Sequence, residues 1–108
     1  KEKLGVIVID AGSGELGGIP YTAGVGPRTI EGMGNEPPYA YPVTAPSGSA
    51  TAILASSGMK GKNGGWPVLY GDDAVSADSI NIAVDEDAIK DSERKHGPEK
   101  FAYIVLGR

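Results

Sequence analysis

The chain is 108 residues long, with ten basic and fourteen acidic side chains, one His, no Cys and a formal net charge of −4. Without Cys there is no disulfide, thiol nucleophile or cysteine metal site, and basic residues dispersed through an acidic chain do not make the patch that nucleic acid requires. No apolar stretch approaches the ~18 residues of a membrane span, and no charged-then-apolar leader is expected, so an export signal would lie upstream.

The 17 Gly and 8 Pro interrupt nearly every window in which apolar residues could recur at helical spacing. Short apolar runs survive this test, and they read as strands. The first, residues 4–9, is unbroken (Leu-Gly-Val-Ile-Val-Ile), the pattern of a central strand covered on both faces. Gly12, Gly14 and Gly17 then match the G-x-G-x-x-G of dinucleotide-binding turns. That motif needs a helix at its last glycine, and Gly18 and Pro20 forbid one, so a hairpin turn is expected over 12–17, with Gly17-Gly18 as a turn signal. Weaker strands follow at 19–23 and 29–30. Tyr39, Tyr41 and Val43 share one face around Pro42, and 51–55 gives another short strand. Trp66, Val68 and Tyr70 alternate with Pro67 and Leu69, and Pro67 places this strand at an edge or starts it there. Ile80, Ile82 and Val84 alternate with Asn81 and Ala83. Asp87 is placed to cap a turn or two of helix over 88–95, stopped by Gly97-Pro98, with Ile89 as its one apolar anchor. The last run, 101–106, is again unbroken and central. The whole predicts one all-β domain over 1–108, an antiparallel β-sandwich of about seven or eight short strands.

The two ends resemble each other. Residues 2–9 align with 99–106, with Glu2 and Glu99, Lys3 and Lys100, Ile7 and Ile104, and Val8 and Val105 identical. Either two strands share a small alphabet by chance, or the chain is one period of a tandem array.

Four constellations bear on chemistry. Tyr70-Gly71-Asp72-Asp73 looks like a polymerase metal motif, but a chain this short reads it as a solvated turn. His96, near Asp91 and Ser92, is the one imidazole, and a small hydrolase would have to be built on it; a His hydrogen-bonded to its neighbours is the alternative. Asp85, Asp87, Asp91 and Glu93, with Glu86, gather carboxylates that could ligate calcium through oxygen. Lys90, Arg94 and Lys95 could equally neutralise them as an ion-pair network. Trp66, after the loop holding Asn63 and near Tyr70, is either a core tryptophan or an exposed ring for stacking on a sugar, with Asn63 and Tyr70 as companions.

The strings Asn63-Gly64-Gly65-Trp66-Pro67-Val68-Leu69-Tyr70-Gly71, Ile82-Ala83-Val84-Asp85-Glu86-Asp87, Asp91-Ser92-Glu93-Arg94-Lys95-His96 and Glu99-Lys100-Phe101-Ala102-Tyr103-Ile104-Val105 cover much of the chain. Together with the strand running from Gly5 to Gly14 and with Met33-Gly34-Asn35-Glu36-Pro37-Pro38-Tyr39, they resemble a repeated module of large secreted proteins of bacteria and marine invertebrates. That module is similar to H-type lectins, sandwiches that often trimerise and bind N-acetylgalactosamine. The resemblance implies an H-type-lectin-like fold more than a ligand, because the lectin's last strand ends W-x-A-x-G, whereas Tyr103-Ile104-Val105-Leu106-Gly107 has no Trp. The expected function is therefore a non-catalytic, extracellular, glycan-binding or adhesive matrix module, with no cofactor beyond possible calcium. Its expected partners are a glycan, a matrix component, another protein surface or further copies of itself, with neither nucleic acid nor membrane. A purely structural, self-assembling scaffold is the alternative, and a small hydrolase the second.

Overall fold

The computed structural model describes residues 2–6, 8–49, 51–61, 64–86 and 95–107. Seven antiparallel strands form two sheets: β1 (Gly12–Leu16), β2 (Ile19–Val25), β3 (Tyr39–Pro42), β4 (Thr51–Ser56), β5 (Trp66–Leu69), β6 (Ser79–Asp85) and β7 (Phe101–Leu106). One sheet has the order β1-β2-β7-β4, the other β3-β6-β5. No described residue is helical. The shortest dimension, 22 Å, is that of two sheets packed about 10 Å apart with side chains on both outer faces.

The two strands with the strongest apolar patterns occupy the centres of the sheets. β7 lies between β2 and β4, with Ile104 opposite both Ala23 and Ile53. β6 lies between β3 and β5 and is buried over most of its length. Pro67 sits on the edge strand β5 and Pro42 on the edge strand β3, where a missing N–H breaks no ladder. Ile30, Tyr41, Ile80, Ile82, Val84, Phe101 and Val105 fill the space between the sheets. Tyr41 is both core and clamp: its hydroxyl donates to Pro27 O (2.7 Å) and accepts from Phe101 N (3.0 Å). The stretch after β2 passes from one sheet to the other, since Ile30 pairs with Glu99 beside β7 and Gly32 pairs in parallel with Val84 of β6.

Three expectations need correction. Residues 4–9 do not form the central strand their sequence suggests. No described residue among them is in a strand, and Leu4, Val6 and Val8 are 89%, 80% and 87% exposed. The sheet has one slot between β2 and β4, and β7, the other unbroken apolar run, holds it. Second, the glycine motif is not all turn. Gly12–Leu16 is strand β1, and the reversal is confined to Gly17-Gly18, both at positive φ. A Cβ at Gly14 would lie 2.8 Å from the Tyr21 hydroxyl opposite, so a side chain there would have to displace that ring. Third, Trp66 is not a core tryptophan: it begins edge strand β5 and is 47% exposed. The helical stretch expected over 88–95 falls almost wholly outside the described residues.

Candidate functional site

The segments flanking β6 and β7 carry the polar residues that the fold brings together. Glu86 follows β6 directly, Glu99 precedes β7, and His96 lies between them. All three are buried, Glu99 completely. Burying charge without partners is prohibitively costly, and here each group has them. One Glu99 oxygen accepts from Arg28 Nη1 (2.7 Å) and Lys60 N (2.8 Å), and the other from Gly61 N (2.8 Å) and His96 Nε2 (2.7 Å). The second His96 nitrogen, Nδ1, lies 3.2 Å from Glu86 Oε2. Arg28 also donates through Nη2 to Gly58 O (2.8 Å). Two cations and two carboxylates thus cancel, and no buried side-chain N or O among the described residues lacks a partner. Gly61 is obligatory in this arrangement, because a Cβ would strike the His96 ring and lie 2.9 Å from Glu99 Oε2.

The protonation states follow from the contacts. Burial alone would push His96 down, but its hydrogen bonds to Glu99 and Glu86, and their charge, outweigh that and hold its pKa above the ordinary 6.5. Each ring nitrogen is engaged by a carboxylate, Nε2 by Glu99 and Nδ1 by Glu86. For Glu99, burial would raise the pKa, but the Lys60 N–H, the His96 ring and the Gly61 N–H outweigh it and keep the carboxyl below its ordinary 4.5. A raised His pKa contributes stability that is complete below about pH 6.5 and lost as pH rises through the folded value. A lowered Glu pKa contributes stability present above about pH 4.5 and lost as pH falls through its folded value. Urea midpoints are therefore expected to be highest between about pH 4.5 and 6.5 and to decline towards pH 8, with His96→Gln flattening the alkaline decline. A midpoint that climbs steadily from pH 6 to 8 would show that His96 is neutral in the fold.

This network supports a surface feature. Asn35 Oδ1 accepts from Gly32 N (2.8 Å) and His96 N (2.9 Å), and Asn35 N returns to Gly32 O (3.0 Å). Glu36 N donates to the Tyr39 hydroxyl (2.8 Å). The loop from Glu31 to Tyr39 is thereby pinned to the ends of β6 and β3, and Glu31, Gly34, Asn35, Glu36, Tyr39 and Lys95 line a polar cleft of about 440 Å³. That is within the ~300–1,000 Å³ of small-molecule sites. Its lining supplies carboxylates, an amide, a phenol and the Lys95 side chain, and its loop is held by part-buried hydrogen bonds of Asn35.

The residues singled out by sequence are dispersed. Trp66 and Tyr70 lie at the start and just past the end of β5, neither lines the polar cleft, and Asn63 is outside the described residues. Tyr70-Gly71-Asp72-Asp73 is the exposed turn expected, with its two carboxylates in solvent. Of the proposed calcium ligands, Asp87, Asp91 and Glu93 lie outside the described residues, whereas Asp85 Oδ1 accepts from Glu86 N (2.9 Å). Among the described residues no group of three His, Asp or Glu side chains is arranged to hold a metal. Ser92 and Asp91, the companions of His96 in the hydrolase reading, are also outside them. Sequence reasoning missed Arg28, Glu99 and the cleft. The available signal was the His96-to-Glu99 spacing around Gly97-Pro98, an irregular segment from which both side chains are buried.

No protein-family model, curated protein or solved structure matches the chain. What the geometry itself defines is the class: an all-β, sandwich-like domain of two antiparallel sheets with a buried ion network and a polar cleft above it.

Proposed function

We propose that the chain is a non-catalytic extracellular module that takes a glycan in the polar cleft and serves as an adhesive or matrix unit. The observation that carries this reading is the make-up of the cleft. Sugar hydroxyls are recognised by fixed acceptors, and carboxyl side chains such as those of Glu31 and Glu36 in the lining are strong acceptors for them. The Tyr39 ring adds an apolar surface for the C–H face of a pyranose, and its hydroxyl, already accepting from Glu36 N, still has a proton to donate. The locked imidazole favours binding over hydrolysis, since His96 has no free nitrogen to receive a substrate proton.

A glycan-array screen of the domain tests the reading. At least one glycan should be retained, and the double variant Glu31→Gln, Glu36→Gln should weaken it by at least about tenfold without moving the melting temperature. Retention of no glycan at all would overturn it.

A further inference from the structure

The outer face of the β1-β2-β7-β4 sheet is apolar and open. Leu16, Ile19, Val25 and Ile53 on it are between 45% and 58% exposed, and Ile104 and Leu106 of β7 lie among them. A contiguous apolar surface of this kind marks an interaction site. The N-terminal arm borders it: Ile9 and Ala11 already line its grooves, while Leu4, Val6 and Val8 stand almost fully in solvent.

From this we infer that the outer face of the four-stranded sheet and the arm over residues 4–9 form a self-association surface, on which the arm of one copy covers the face of a second copy and receives the same in return. The occupant is argued from the chain itself. The arm is an unbroken apolar run like β7, with Ile7 and Val8 matching Ile104 and Val105, and β7 pairs on both sides here, yet none of the arm's described residues is in a strand. Within a single chain Ile9 reaches the grooves of its own face but Leu4, Val6 and Val8 stay off it, so covering the rest of that face takes another chain. The sizes agree as well. A face of four strands at ~4.8 Å spacing and ~3.4 Å rise, plus aliphatic arm residues of roughly 100 Å² each, comes to roughly 850 Å² per copy, against about 800 Å² a side for a standard stable interface. Reciprocal arm-on-face contact is isologous and closes at a dimer. This surface is separate from the polar cleft and does not depend on glycan binding.

Sedimentation equilibrium of the full chain up to about 200 µM tests it. The protein should dimerise, and Val6→Asp with Val8→Asp should weaken the dimer at least about tenfold. The melting temperature of the diluted monomer should be unchanged, because Val6 and Val8 are almost fully exposed within one copy. Ile53→Asp on the face should act in the same direction. An equimolar mixture of the arm and face variants keeps one intact arm-on-face contact and should associate more tightly than either variant alone. A wild-type chain that stays monomeric, or arm variants that dimerise like wild type, would overturn the inference; a monomer whose arm amides are protected from hydrogen exchange would show that the arm covers its own face instead.

Discussion

Glu99→Gln is expected to lower folding stability by about 3–5 kcal/mol, because it removes one charge from a buried, balanced network and leaves the rest unpaired. The carboxylate accepts four hydrogen bonds from Arg28, Lys60, Gly61 and His96, and an amide of the same shape can accept on only one of its two ends. At the other end an NH2 would face two donors. Small domains have roughly 5–15 kcal/mol in total, so the variant should lose a large part of its stability, and the urea midpoint at pH 6 reports it directly. A loss below about 1 kcal/mol would mean that water relaxes into the site and that the network does not organise the fold.

Gly26→Ala is the second large effect. Gly26 N donates to Phe101 O (3.1 Å), and its missing side chain is where the ring of Tyr41 lies, so an added Cβ would enter that ring. Tyr41 cannot step aside: it is 1% exposed and its hydroxyl joins Pro27 to Phe101. Overpacking of this kind costs about 1–3 kcal/mol, and more where a buried hydrogen-bond junction is displaced with it. Thermal unfolding should show a drop of roughly 4–8 °C for each kcal/mol lost. An unchanged melting temperature would show that the ring has room to move.

The parts of the fold legible in the sequence are those set by local pattern. Alternation placed the inward face of β6, the unbroken run of β7 marked a central strand, and Pro67 marked an edge, each through a rule that acts within a few residues. The arm shows where such rules end. An unbroken apolar run reports that both faces seek cover, but not whether the same chain supplies it, and residues 4–9 have the same unbroken apolar character as β7 without its place. The charge network was illegible for a different reason. Arg28 and Glu99 are 71 residues apart, and nothing local to either predicts the other. His96 was read as a hydrogen-bonded neighbour of acids or as a catalytic base; the acids it meets are Glu86 and Glu99, at either end of its loop. Trp66 read either way in the sequence, as core or as an exposed ring, because alternation does not say which face is covered; the fully buried aromatic positions among the described residues belong to Tyr41 and Phe101.

The most direct measurement is a titration of the isotope-labelled domain with an array-selected glycan, followed by backbone amide and indole chemical shifts. Saturable shifts confined to Glu31, Gly34, Asn35, Glu36, Tyr39 and Lys95 are expected, with the Trp66 indole unmoved. Shifts centred on Trp66 and Tyr70, with the loop from Glu31 to Tyr39 silent, would contradict the cleft as the binding site.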